Sequence, residues 1–285
     1  MRLTFRIRRL EVAVGRIAAG DFDEEIVDPV EDELGELAVA FDRMRLRLAH
    51  LDRARREFIA NASHELRTPL FSLGGFLELM ADEEVDPADR KEFVDEMSSQ
   101  VTRLTKLATD LLDLTRLDAG QLSVEQSEVD VAESARTVCE EFRPVAEAEA
   151  HVLAADVNGP ALALADEQRV LQVARILVEN ATRHTPAGTR IVVSARDRNG
   201  SISLSVADDG PGVPEPDREH LFERFYRAGG GQASGSGLGL AIARELAERM
   251  GGSIGVESTP GSTTFTLLLP RAGSVFTSKR SGDGA

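Results

Sequence analysis

One histidine stands beside an acid and close to a hydroxyl group in the segment NASHELRTPL. His64 is followed directly by Glu65, and Thr68 lies four residues further on. An unprotonated imidazole nitrogen is a nucleophile, and a carboxylate near the other nitrogen fixes the tautomer and stabilises the positive charge that develops during attack. Helical geometry points His64 away from the apolar stripe of Leu66 and Leu73, so this side chain should face solvent. Exposure alone fits a reactive group or an ordinary solvated histidine.

A second group of chemically useful residues lies in the helical segment LVENATRH. Asn180 and Arg183 are three residues apart and share a helix face. An amide oxygen is a hard ligand suited to Mg²⁺, and a guanidinium suits phosphate. An exposed polar helix face is the alternative interpretation of this pair.

Two glycine-containing segments follow the asparagine helix. In ADDGPGVP, Asp208 can accept a hydrogen bond from an exocyclic amine, and Gly210 and Gly212 let the backbone approach a flat ring, although a plain acidic turn is equally compatible. In RAGGGQASGSGLGLAIAREL, six glycines precede an apolar helix, whose N-terminal amides can hold an anion. A flexible linker is disfavoured because the glycines abut a patterned helix, and a dinucleotide-binding loop fails because a hairpin follows.

The elements that carry these residues differ in the spacing of their apolar side chains. Steps of three and four from Ile7 to Ile17 and from Leu34 to Leu51 predict two helices joined by GDFDEEIVDPVED, the first of which stops at Gly20. Neither helix buries its stripe alone, so a parallel homodimer is the simplest completion. The second helix continues into the His64 segment. The turn ADEEVDPADR then predicts a helical hairpin over residues 52–120.

Beyond LDAGQLSVEQ, short β-branched runs alternate with helical patterns. RIVVSARD and SISLSVAD predict one strand pair, GGSIGVEST and STTFTLLLP predict a second, and helices are expected over about 130–150, 166–183 and 238–250. Strand hairpins with helices on one side make an α+β sandwich over residues 121–271. The predicted fold is therefore multidomain: an all-α coiled-coil linker over 1–51, a helical-hairpin dimerisation domain that forms a four-helix bundle as a dimer, the sandwich, and a disordered tail over 272–285.

Composition and charge indicate which partners are disfavoured and what kind of compartment the chain occupies. Asp and Glu number 49 against 33 Lys and Arg, so the formal charge of -16 disfavours nucleic acid. Cys139 is the only cysteine, which fits a reducing interior and a small buried side chain. No apolar run approaches the roughly 20 residues that span a bilayer, and the basic start MRLTFRIRRL lacks the apolar core of a signal peptide.

Three parts of the sequence resemble parts of one protein family. The first 50 residues, including DELGELAVAFDRM, are similar to a HAMP linker, the two-helix signalling module found just inside bacterial membranes; a generic coiled coil is the alternative. FIANASHELRTPL closely resembles the phosphoacceptor box of sensor histidine kinases. The asparagine helix, the Asp-Gly turn, FERFYR and the glycine loop resemble, in that order, the ATP-binding domain shared by these kinases, type II topoisomerases, mismatch-repair ATPases and heat-shock chaperone ATPases.

The resemblance implies specific roles for residues of this chain. His64 would be phosphorylated, Glu65 would be the activating acid, and Thr68 would orient the water that dephosphorylates a partner. Asn180 would coordinate Mg²⁺, Asp208 would read the adenine amino group of ATP, and the loop from about Ala228 to Ser236 would close as a lid. The other implied nucleotide contacts are Arg183, His184, Gly210, Gly212, Gly235, Gly237, Leu238 and Gly239, and the block that supports the lid contains Phe222, Arg224 and Phe225. Ile176 departs from the family, which often has a second asparagine there.

These implications combine into the hypothesis of a homodimeric sensor histidine kinase that phosphorylates His64 with ATP and passes the phosphoryl group to an aspartate of a response-regulator receiver domain. A conformational ATPase would leave the phosphoacceptor box unexplained, and a degenerate scaffold would not need the intact nucleotide residues. The HAMP-like start suggests a natural protein that continues upstream through a bacterial membrane, so that this chain is its cytoplasmic portion; a soluble kinase that begins at Met1 is the alternative.

Overall fold

The computed structural model describes residues 2–30, 32–81, 85–198, 200–228 and 235–273. The chain divides into two compact units, residues 1–68 and 69–285. The helices and strands are α1 (Arg2–Ala18), α2 (Glu33–Met80), α3 (Pro87–Asp118), β1 (Ser127–Asp130), α4 (Val131–Ala148), β2 (Val152–Val157), β3 (Leu162–Ala165), α5 (Glu167–His184), β4 (Arg190–Arg198), β5 (Ser201–Asp208), α6 (Glu215–Arg218), α7 (Gly239–Arg249), β6 (Ser253–Thr259) and β7 (Ser262–Pro270).

In the first unit, α1 and the start of α2 pack around a small apolar core, as the spacing predicts. Its buried members are Leu10, Ile17, Ile26 and Ala38. Ile26 belongs to the connector between the helices, so the connector closes the core rather than merely joining its ends. Much of the predicted apolar stripe is still exposed, because leucine and methionine side chains such as Leu37, Met44 and Leu51 lie outside this core. The first unit therefore retains apolar surface that a partner can cover.

A buried arginine fixes the connector to α2. Arg45 donates to Asp42 Oδ1 at 2.7 Å and to the carbonyl oxygen of Phe22 at 2.6 Å. The same Asp42 oxygen accepts the backbone N–H of Ile26 at 3.0 Å. Because the charge is paired and hydrogen-bonded, burying Arg45 here is compatible with a stable core. Removing Asp42 would leave the guanidinium unpaired.

The second unit begins within α2 and continues into α3. Asp86 caps α3, its carboxylate accepting the N–H of Ala88 at 2.8 Å, and Pro87 occupies the first turn as predicted. The rings of Phe76 and Phe93 pack with centroids 5.6 Å apart, which joins the last part of α2 to α3. None of the helices within the described residues is long and apolar enough to cross a membrane.

A five-stranded sheet in the order β2-β4-β5-β7-β6 forms the rest of this unit, and α4, α5 and α7 pack against it. The pairs β4–β5 and β6–β7 are antiparallel, as the sequence predicts. The sheet also contains a parallel pair, β2–β4, which strand periodicity did not indicate, and β1 pairs with β3 in a separate small sheet. Alternate residues of β4 and β7 are buried beneath the helices. The predicted α+β sandwich is confirmed.

Helix α5 is the element whose packing the site depends on most. Its residue Leu177 is fully buried, three residues before Asn180. Leu177→Ala should lower the free energy of unfolding of this unit by about 2 to 5 kcal/mol, because it opens a cavity in a close-packed core. Urea unfolding followed by circular dichroism measures this. Leu162→Ala, at an exposed position in β3, is the control, and an equal effect of the two substitutions would contradict the assignment of Leu177 to the core.

Candidate functional site

His64 lies on α2 with its side chain exposed, as helical phase predicts. The hydroxyl of Thr68 donates to the carbonyl oxygen of His64 at 3.3 Å, so the two residues occupy the same helix face one turn apart. Glu65 is half-buried beside them. An exposed imidazole on a rigid helix can meet a reactive phosphate that is presented from outside.

A cavity of about 320 Å³ opens in the second unit between α5, α3 and the loops that follow β5 and precede α7. It collects most of the residues to which the sequence assigns nucleotide contacts. Those lining the cavity are Asn180, Arg183, His184, Asp208, Gly212, Gly235, Gly237 and Gly239. Gly210 and Leu238 are not among the lining residues. Residues 229–234, which contain most of the predicted lid, lie outside the described residues.

Asp208 ends strand β5 with its side chain buried. Its Oδ1 accepts the backbone N–H of Gly210 at 3.0 Å, which fixes the orientation of the carboxyl group. Burial raises the pKa of Asp208 above the usual aspartate value because the carboxylate loses solvation. A Cβ atom at Gly210 would lie 2.6 Å from Thr185 Cγ2 and 2.8 Å from Asp208 Oδ1, so this position has no room for a side chain.

Gly212 forms part of the cavity wall itself. Its φ of +85° lies in the left-handed region, and a Cβ atom there would approach the carbonyl oxygen of Thr259 to 2.5 Å. Glycine is therefore required by conformation and by space. Its place beside Asp208 suits a flat aromatic ligand that lies against backbone.

The end of α5 carries the polar side chains at the opposite part of the site. Arg183 Nη2 donates to Glu179 Oε1 at 3.0 Å. Burial, and then the positive charges of Arg183 and Arg227, lower the pKa of His184 below its usual value. His184 is therefore neutral at neutral pH and offers hydrogen bonds rather than a positive charge. Ile176 also lines the cavity, where its side chain supplies apolar surface instead of the amide that the family resemblance would place there.

The glycine loop is anchored near Gly237, just before α7. The backbone N–H of Phe225 donates to the carbonyl oxygen of Gly237 at 2.9 Å, and a Cβ atom at Gly237 would lie 2.8 Å from the Phe225 carbonyl carbon. Leu238, which caps α7, is fully buried and fixes the start of that helix by packing. Phe225 thus lies against Gly237 in the described part of the loop, and its role in supporting the lid stays a prediction. Nearby, Phe222 packs edge-on against Phe265, with ring centroids 6.3 Å apart.

Helix α3 contributes residues that sequence reasoning missed. Lys106 and Asp110 line the cavity. Lys106 forms an ion pair with Glu179, and Asp110 accepts a hydrogen bond from Ser236 Oγ at 3.0 Å. Asp113, on the same face, accepts from Gln172 at 2.8 Å. The spacing of these polar residues along one helix face was a visible signal, but it did not reveal which domain that face meets.

The donor set fits a nucleotide with a divalent cation. Among the residues that the structure describes, no group of three or more His, Cys, Asp and Glu side chains forms a protein-only metal site. A cation here would take one amide oxygen from Asn180 and its other ligands from phosphates and water, which is how Mg²⁺ is commonly held with nucleotides. Asp208 and Gly212 offer groups suited to a base, and Arg183 offers a guanidinium suited to phosphate.

Three family models match the chain in sequence order. Residues 2–50 match the HAMP domain, residues 54–120 match the His Kinase A (phospho-acceptor) domain, and residues 165–273 match the histidine kinase-, DNA gyrase B-, and HSP90-like ATPase. His64 falls in the second match, and Asn180 and Asp208 fall in the third. The chain belongs to the sensor histidine kinase family.

Relatives and solved structures of the same family agree. The signal transduction histidine-protein kinase BaeS of Escherichia coli (strain K12) is 35% identical over 271 residues, which cover 93% of this chain and 57% of BaeS. The chain thus spans little more than half the length of that relative. Full-length ShkA in complex with AMPPNP has a TM-score of 0.56 at 32% identity, covering 75% of this chain and 46% of ShkA. ThkA in complex with the response regulator protein TrrA has a TM-score of 0.65 at 26% identity, covering 86% and 68% of the two chains.

Proposed function

We propose that the chain is the catalytic portion of a homodimeric sensor kinase in which ATP, bound in the cavity with Mg²⁺, phosphorylates His64. The observation that carries this proposal is the convergence of Asn180, Arg183 and Asp208 in one glycine-edged cavity of a chain that also presents His64 on a helix. The AMPPNP complex of ShkA supports ATP as the nucleotide.

The proposed transfer needs little covalent chemistry from the protein. An unprotonated ring nitrogen of His64 attacks the γ-phosphorus, the bond from phosphorus to the β–γ bridging oxygen breaks, and phosphohistidine and ADP result. Glu65 interacts with the other, protonated ring nitrogen and stabilises its growing positive charge. Arg183 neutralises negative charge on the phosphates, and the bound cation, held by Asn180, would do the same.

The phosphohistidine then donates its phosphoryl group to a receiver domain. We propose that an aspartate of a response regulator takes the phosphoryl group, which regenerates neutral His64. The complex of ThkA with TrrA supports a partner of this class. We propose that Thr68, one helical turn from His64, orients the water molecule that hydrolyses the phosphorylated partner.

Dimerisation and signal input belong to the helical parts. The partly exposed apolar stripe of the first unit, ending at Leu51, supports a parallel homodimer. The HAMP match supports input through residues 2–50 on the cytoplasmic side of a bacterial membrane, with anchoring by a segment outside this chain.

Incubation with γ-labelled ATP tests the proposed function. A histidine kinase gains label that acid removes and alkali does not, whereas a conformational ATPase releases labelled phosphate without labelling itself. A degenerate scaffold does neither. Absence of acid-labile label on the dimeric chain in the presence of Mg²⁺ would overturn the proposal.

The continuous helix α2, Glu33–Met80, predicts how input reaches His64. Inserting one alanine after Arg55 turns everything beyond it by about 100°. We expect the basal rate of autophosphorylation to change several-fold, because the dimer seam and His64 lose their common phase. Insertion of seven residues at the same point nearly restores that phase and is the control. Equal rates in the two insertion variants, measured with labelled ATP, would contradict signalling by helix rotation.

A further inference from the structure

Lys106 is a cation of the helical hairpin that lines the proposed ATP cavity. It lies on α3, outside the segment that matches the ATPase family model, yet it shares the cavity with Asn180 and Arg183. Its amino group forms an ion pair with Glu179, the residue directly before Asn180. Lys106 is thus held at the part of the cavity assigned to phosphates rather than beside Asp208.

Two cations share one carboxylate at this end of the cavity. Glu179 accepts Arg183 through Oε1 and Lys106 through Oε2, so one carboxylate serves two cations. Asp110, one turn along α3, is bonded to the hydroxyl of Ser236. Asp110 adds a second carboxylate beside Lys106, so the two cations are balanced without surplus. A polyanionic ligand carries more negative charge than the Glu179 carboxylate and can therefore compete with it for Lys106.

We propose that Lys106 is a nucleotide-binding residue whose ammonium group leaves Glu179 and contacts the terminal phosphates of bound ATP. The lysine side chain is 39% exposed, and its flexible four-carbon stem lets the charge move while the helix stays in place. The hairpin domain would then supply part of the ATP site. This inference rests on the proposed function, because it assigns a residue to the same nucleotide.

The test compares ligands that differ in phosphate number. Adenosine, ADP and AMPPNP compete with a fluorescent trinitrophenyl-ATP in the presence of Mg²⁺, on the complete chain. Lys106→Gln should weaken AMPPNP binding about tenfold, which corresponds to about 1.4 kcal/mol and is ordinary for a charge-assisted hydrogen bond. The same substitution should weaken ADP binding by a smaller factor and leave adenosine binding unchanged. Lys91→Gln, the same change at an exposed position on α3, is the matched control and should leave all three affinities unchanged.

Glu179→Gln separates phosphate binding from a purely structural ion pair. Both Glu179→Gln and Lys106→Gln break the same pair, so a structural role predicts that both weaken binding of every ligand. A phosphate contact predicts opposite signs: Glu179→Gln removes a negative charge and frees Lys106, which raises the affinity for AMPPNP. Lys106→Arg should keep part of the affinity.

Three outcomes would overturn the inference: unchanged AMPPNP affinity in Lys106→Gln, equal loss for adenosine and AMPPNP, or a loss of the same sign in Glu179→Gln. Failure of the unmodified chain to bind any adenine nucleotide would instead remove the proposed function together with the inference. Normal ATP binding with an indifferent Lys106 would remove the inference alone.

Discussion

Replacing His64 with glutamine is expected to reduce acid-labile labelling by γ-labelled ATP to background. Glutamine has similar length and polarity, but its amide nitrogen is not nucleophilic, so no phosphoramidate can form. Binding of AMPPNP should be unchanged, since all the proposed nucleotide contacts of the unmodified chain are still present. Labelled protein, separated from nucleotide under alkaline conditions, gives the result directly.

The matched control is His50→Gln, because His50 is also exposed on α2. Substitutions at such exposed positions usually change the free energy of unfolding by no more than about 0.5 kcal/mol, so neither variant should unfold. His50→Gln should retain full labelling. Label that persists in His64→Gln would show that another residue receives the phosphoryl group, even if the chain were still a kinase.

The contrast between these two histidines shows how far sequence reasoning reaches. Helical phase correctly predicted that His64 is exposed, but His50 is exposed on the same helix, so phase alone cannot distinguish them. The distinction came from the adjacent Glu65 and from the resemblance of FIANASHELRTPL to a phosphoacceptor box. Local sequence defines local chemistry, and it also predicted Pro87 in the first turn of α3, although not the cap formed by Asp86.

Tertiary contacts were harder to foresee. Alternation predicted the strands β4 and β5 and their antiparallel pairing, because a short turn joins them. It did not predict that β2 pairs parallel with β4, since periodicity reports which face of a strand is buried and not which strand lies beside it. Alternation and spacing also did not predict that Lys106 and Asp110 line the cavity, for the same reason. Their meaning depends on docking of α3 against α5, two elements far apart in sequence.

Asp208→Asn is expected to weaken ATP binding by about 10- to 100-fold, equivalent to about 1 to 3 kcal/mol for an unsatisfied buried polar contact. The proposed role of Asp208 is to accept a hydrogen bond from the adenine amino group. In the variant, the amide oxygen can still accept the N–H of Gly210, which leaves the amide NH₂ facing the adenine amine, donor against donor. Competition against trinitrophenyl-ATP measures the loss.

Asp209→Asn is the control for this substitution. Asp209 is exposed, and its Oδ1 accepts the backbone N–H of Arg190 at 2.6 Å, a bond that an asparagine oxygen can keep. ATP affinity should therefore be unchanged in Asp209→Asn. Equal losses in the two variants would show that the Asp-Gly turn matters for folding and not for reading adenine.

Base preference and pH dependence give the sharpest check on Asp208. Guanine carries a carbonyl oxygen where adenine carries its amino group, so Asp208→Asn should raise GTP affinity relative to ATP. Because burial raises the pKa of Asp208, acidification protonates this carboxylate earlier than an ordinary one, and ATP affinity should begin to fall at a correspondingly higher pH. Asp208→Asn should lose that pH dependence, since an amide does not titrate. A variant with lower ATP affinity but the same base preference and pH profile would indicate that Asp208 supports the loop without touching the base.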